Sequence, residues 1–181
     1  AISLLAALIP DDPKGVLELG LEWLEITDDH QTADAIGWLL LGPGYLASQT
    51  PLDSVLARID EIGHHCARRA AVMMGMALLP VSVENHGGCV LRDRLKVDEI
   101  KFVEAPQSEA IQSIADHYLR DDAPSVRKAL RRVLSRWALL DPASATTWRA
   151  HAMTALGGLP KMISADFDKA LKKGHRKKAR Q

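Results

Sequence analysis

The chain is 181 residues long, enough for one compact domain with a sizeable core, and its 47% hydrophobic content is that of a globular protein. No apolar run reaches the roughly 18 residues that span a bilayer, and two cysteines, Cys66 and Cys89, are too few for a disulfide framework. Equal numbers of basic and acidic residues, 23 each, give zero formal charge, but residues 1–62 hold eleven acidic side chains against two basic ones and residues 63–181 twelve against twenty-one. That split points to a surface in the basic part that faces a polyanion, or else to two halves that attract each other. No secretory signal pattern opens the sequence, so a reducing cytoplasm is the expected location.

In chain order, residues 2–8 and 13–26 read as helices, with Pro13 near the start of the second. A third is expected from Thr32 to Leu41, stopped by Gly42-Pro43-Gly44. From Pro51 onward Val55, Ile59, Ile62, Cys66, Ala70, Met73 and Ala77 recur at spacings of three and four. That is one long amphipathic helix, or two broken near Gly63. The stretch 80–106 breaks the pattern: "VSVEN" and "CVLRD" flank His86-Gly87-Gly88, which reads as a loop or β-hairpin inserted between helices. Further helices are expected over 107–119, 124–140, 144–156 and 162–173, the first with Ala110, Ile111, Ile114, Tyr118 and Leu119 inward. The expected fold is a nearly all-α domain over residues 1–173, built as stacked antiparallel helix pairs. Residues 174–181, part of "KKGHRKKARQ", are expected to be a disordered basic tail.

The helix over 124–140 carries the sharpest pattern. Asp121 or Asp122 is its expected cap and Pro124 sits in its first turn. Val126, Leu130, Val133, Leu134, Trp137 and Leu140 form an inward stripe. Arg127, Lys128, Arg131, Arg132 and Arg136 fill the opposite half of the wheel, and no carboxylate within 126–140 balances them. A solvated basic face is the ordinary explanation of such a pattern. The missing carboxylates favour phosphate binding.

The same residues carry a family likeness. "SVRKALRRVLSRWALLDPASATTWRA" resembles a late-repeat segment of the DNA alkylation repair family, HEAT-like α-solenoids that include alkylpurine DNA glycosylases. "TDDHQTADAIGWLLLGPGYLASQTP", "HHCARRAAVMM" and "ISADFDKALKK" resemble, in the same order, the family's segment with a catalytic aspartate, the helix with a catalytic arginine and the closing helix. The likeness covers about residues 16–173 and implies a HEAT-like solenoid with Asp34 and Arg69 as catalytic residues. It also implies double-stranded DNA as partner, held mainly by its phosphate backbone through Arg68, Arg127, Lys128, Arg131, Arg132 and Arg136. No cofactor, no membrane and a monomeric state are expected. An N3- or N7-alkylated purine is already a good leaving group, so such an enzyme needs an anion beside the sugar, where positive charge develops, and a cation for the phosphate. The sequence departs from the family at its aromatic supports. The turn before Asp34 reads Asp29-His30-Gln31, and the tryptophan position of the basic helix is Arg132. Arg132 in place of an aromatic removes a stacking surface and adds a phosphate contact, a change that favours binding over cleavage. The alternatives are a non-catalytic protein that recognises DNA structure and a protein-binding helical scaffold.

Other signals are weaker. His64-His65-Cys66 and His86-x-x-Cys89 have loose spacing for zinc, so no metal is expected and Cys66 is assigned to the core. Asp93, Glu99 and Lys101 are a nuclease-like set of residue types, set against a helical surrounding. Met73, Met74 and Met76 read as core filler, and Trp38 and Trp137 as packed. Trp148, which follows "ASATT" at the start of a helix, is the tryptophan expected to face a concave surface, if any does.

Overall fold

The computed structural model of the chain describes residues 1–80 and 102–180, and all regular structure among them is helical. The elements are α1 (Ile2–Ala6), α2 (Pro13–Glu25), α3 (His30–Ile36), α4 (Gly42–Ser48), α5 (Leu52–Ile62), α6 (His65–Met74), α7 (Ser108–Tyr118), α8 (Pro124–Leu140), α9 (Pro142–Ala155) and α10 (Lys161–Lys178). None of these is long and apolar enough to cross a membrane. The hairpin expected within 80–106 falls largely on residues 81–101, outside the described residues, as do Asp93, Glu99 and Lys101. The chain around that stretch is tied together, because the Gln107 amide donates to the Leu78 carbonyl at 2.9 Å.

Local chemistry explains most boundaries. The Asp12 carboxylate accepts from the Gly15 amide and Pro13 occupies the first turn, which starts α2. Asp29 caps α3 by accepting from the Gln31 and Thr32 amides at 2.9 and 2.8 Å. Gly63, at φ 79°, ends α5 in the left-handed conformation, so the long helical pattern from Pro51 is two helices. Asp141 closes α8 and its carboxylate caps α9 by accepting from the Ser144 amide.

Two boundaries depart from what the sequence suggests. The Gly42-Pro43-Gly44 segment does not stop a helix. A π-helical turn, Gly37–Leu41, carries α3 straight into α4, and the run ends at Gln49 with φ 56°. The glycines here are contact points. A β-carbon on Gly37 would lie 2.2 Å from the Ala70 carbonyl oxygen, and one on Gly42 would lie 2.4 Å from the Ala77 β-carbon. The helix therefore presses backbone to backbone on the stretch that contains α6. The second departure is at the carboxyl end. Residues 174–178 continue α10 instead of forming a disordered tail. Gly174 is buried where α10 crosses the end of α8, and a β-carbon there would lie 2.6 Å from the Ala138 carbonyl oxygen.

Nearly all buried apolar residues, Ala35 and Leu39 excepted, form one cluster. α8 lies at its centre and packs on α6, α7, α9 and α10. Val126, Ala129, Leu130, Val133, Leu134, Trp137 and Ala138 are its buried stripe, as the spacing predicts, while Leu140 is only partly covered. Three rings from three helices lock this end of the core. Trp137 and Trp148 have centroids 5.7 Å apart, and Trp148 and Phe167 5.6 Å apart in an edge-to-face arrangement. Their polar atoms are satisfied. The Trp148 indole N–H donates to Asp116 at 2.6 Å, and the Trp137 N–H donates to Ser108 Oγ at 2.9 Å. Trp148 thus faces the core and no concave surface.

Candidate nucleic-acid interface

Burying the apolar stripe of α8 forces its basic face outward, against α10. Between the two helices lies an open cleft of about 640 Å³. It is lined by Lys128, Arg131, Arg132, Ser135 and Arg136 from α8, by Asp166, Lys169 and Lys173 from α10, and by Arg69 from α6. Lys128, Arg132 and Arg136 repeat every four residues. At a rise of about 1.5 Å per residue they form a row of cations spaced about 6 Å apart along the helix. Lys169 and Lys173 make a second row on α10 by the same spacing. Lys128, Arg136, Lys169 and Lys173 pair with no carboxylate among the described residues.

The other cations are differently placed. No carboxylate within α8 balances its basic face, as the sequence indicates, but carboxylates from two other helices reach it. Arg131 lies 3.4 Å from Asp166 of α10, and Arg132 lies 3.9 Å from Asp34 of α3. Arg127 donates to the Asp122 carbonyl and is absent from the cleft lining. Arg68 sits elsewhere. Its guanidinium donates to the Asp121 carboxylate at 2.6 Å and to the Gly63 carbonyl at 2.5 Å, which ties α6 to the loop before α8. The hydrogen bond that Arg68 donates to Asp121 raises the Arg68 pKa further. Asp121 itself accepts from the Ala123 amide, one residue ahead of the helix, so α8 begins at Pro124 without a side-chain cap.

Asp34 and Arg69 meet. The guanidinium donates from Nε to Oδ1 at 2.6 Å and from Nη2 to Oδ2 at 2.7 Å, and its Nη1 donates to the Ser125 carbonyl at 2.8 Å. The Arg69 side chain is 10% exposed and that of Asp34 22%. Asp34 is held by the second turn of α3, with Ala35, Ile36 and Leu39 buried beside it. This bidentate geometry has two chemical consequences. Arg69 holds a carboxylate and a backbone carbonyl, which leaves little of its fork for a phosphate. The carboxylate has both oxygens engaged and a second cation, Arg132, at its edge, so its charge is largely balanced inside the protein.

A different cluster joins α3 to α6. His30, His65 and Cys66 each bring one metal-ligating atom, all within 4.8 Å of one another. The sequence pairs His64 with His65 and Cys66, but His64 is used otherwise. Its Nδ1 accepts from the Ala67 amide and its Nε2 lies 2.8 Å from the Leu24 carbonyl, so it caps α6. Burial raises the pKa of the Cys66 thiol, which is therefore no activated nucleophile in the unligated protein.

Compared with family models, with curated proteins and with solved structures, the chain matches none.

Proposed function

We propose that the chain is a HEAT-like helical protein that binds double-stranded DNA by its phosphate backbone, with the α8–α10 cleft as the binding face. The observation that carries this reading is the cleft itself, where seven cationic side chains line a wall that holds one carboxylate, Asp166. A protein-binding scaffold has no need of that imbalance. A DNA strand presents a phosphate about every 3.4 Å along the duplex axis, and two rows of cations at helical spacing suit a repeating anion better than a single small ligand. Contacts of this kind fix position on the backbone and do not read base edges.

The expected result is binding that varies little among duplexes of unrelated sequence and weakens steeply with salt. About five neutralised phosphates give a slope of log K against log salt near −4.5. A slope near zero, or a preference for one sequence over others of the same length, contradicts the reading.

Base excision is the second reading, and the contact of Asp34 with two lining residues of the cleft is what favours it. Binding without efficient cleavage is favoured, because Asp34 is balanced by Arg69 and Arg132 and no tryptophan stands at position 30 or 132 to hold a sugar. DNA carrying N7-methylguanine is expected to lose the base at close to the spontaneous rate in the presence of the protein. Enzyme-dependent release that falls on the order of 10²–10³-fold in Asp34→Asn, with folding intact by circular dichroism, would establish Asp34 as the group meeting the developing positive charge.

A further inference from the structure

The geometry points to a transition-metal site of the zinc class formed by His30, His65 and Cys66, clipping the start of α3 to the start of α6. The donor set fits such an ion. Two imidazoles and one thiol are the borderline-to-soft ligands that zinc, cobalt and copper take, and that magnesium and calcium do not. The distances fit as well. Zn–S of about 2.3 Å and Zn–N of about 2.0 Å in a tetrahedron place sulfur and nitrogen about 3.5 Å apart. Cys66 Sγ and His65 Nε2 are 3.6 Å apart already. The donor atom of His30 lies within 4.8 Å of both, and its exposed side chain closes the remainder by a small rotation. The two imidazoles already meet edge to face, with centroids 5.4 Å apart and planes at 78°.

Local structure explains why these residues converge. Asp29 and His64 act as N-caps, which makes His30 and His65 the first residues of their helices. α3 and α6 pack together, so the two first turns come side by side, and Cys66 turns its sulfur inward beneath His65. On ligation Cys66 gives its thiol proton to solvent and binds as thiolate. Three protein ligands leave one tetrahedral position for water or an added anion. Asp34 follows His30 by four residues, one turn further along α3, and Arg69 follows Cys66 by three on α6. The metal thus pins the two helices that hold the Asp34–Arg69 pair, and its role is a structural clip.

The test uses the full chain with Co(II) alone and Zn(II) alone. Cobalt is expected to give a thiolate-to-metal charge-transfer band in the near ultraviolet and the visible bands of a tetrahedral ion, both displaced by zinc, and zinc is expected to raise Tm. His30→Ala, at an exposed position, should fold normally, weaken metal affinity by at least the roughly 10–100-fold that loss of an outer-shell partner costs and abolish the Tm rise. Cys66→Ser should lose the charge-transfer band, while Cys89→Ser, which removes the chain's other thiol, should keep it. Absence of a thiolate band in the wild type overturns the proposal, as does a band that survives His30→Ala at unchanged affinity or that disappears with Cys89 in place of Cys66.

Discussion

Replacing Arg69 with methionine is expected to destabilise the protein by about 3 kcal/mol. The loss comes from what remains behind. Asp34 would keep a carboxylate that is 22% exposed and has lost both of its short hydrogen bonds, and the Ser125 carbonyl would lose its donor. Breaking a largely buried pair from one side costs about 3–5 kcal/mol, because the surviving charge is desolvated and uncompensated. The lower end applies here, since Arg132 stands 3.9 Å away and supplies part of the missing charge. With a urea slope of about 2 kcal/mol per molar, the midpoint should fall by about 1.5 M. Combining Arg69→Met with Asp34→Leu should recover much of the loss, since a buried ion pair is often replaceable by apolar groups of similar volume. A midpoint shift below about 0.3 M in the single variant would mean that the pair is far better hydrated than its geometry indicates.

Trp148→Ala should cost at least as much, about 4 kcal/mol. Its ring is fully buried between Trp137 and Phe167, so truncation removes the contact that joins α8, α9 and α10 and leaves a cavity that three rigid helices cannot close. The indole N–H also satisfies Asp116, 2.6 Å away. Trp148→Phe separates the two contributions. It keeps most of the ring volume and loses the donor, so it should cost about 1–2 kcal/mol. Both variants are read by urea titration followed by circular dichroism. Equal costs for Ala and Phe would show that the hydrogen bond, and not the packing, holds this end of the core.

How far the sequence speaks differs from element to element. α8 is legible almost to the residue, because Pro124 fixes its start, Asp141-Pro142 its end and an unbroken apolar stripe its buried face. The Gly42-Pro43-Gly44 run misleads for a physical reason. Glycine and proline are read as breakers from local propensity, whereas here a π-helical turn absorbs them and the missing β-carbons let helices touch. Such close approach is a tertiary fact with no local signature. The basic tail misleads similarly, since its run of charge reads as disorder whereas Gly174 serves as the crossing point of α10 over α8.

The candidate site shows the same division. The basic face of α8 is plain from helical periodicity. Lys169 and Lys173 are missed because nothing local to them says that α10 lies across the cleft, although their four-residue spacing is the available hint. Arg68 and Arg69 are adjacent in sequence and equivalent in composition, yet one ties down a loop and the other binds Asp34. Only the helical phase of α6 against its neighbours separates them. The His30 contribution is hidden for a related reason, since the neighbouring His64 looks equally available until its capping role is known.

The most direct measurement of the central proposal is the salt dependence of duplex binding in a variant that replaces Lys128, Arg136, Lys169 and Lys173 together with glutamine. These four line the cleft and pair with no carboxylate among the described residues, so the substitutions break no internal ion pair there and should leave the fold intact. If the cleft holds the phosphate backbone, the slope of log K against log salt flattens by about 3.6, the amount expected for four lost contacts at about 0.9 each, and binding at low salt falls for every duplex alike. An unchanged slope, with DNA still bound, would place the nucleic acid on another surface and contradict the assignment of the α8–α10 cleft.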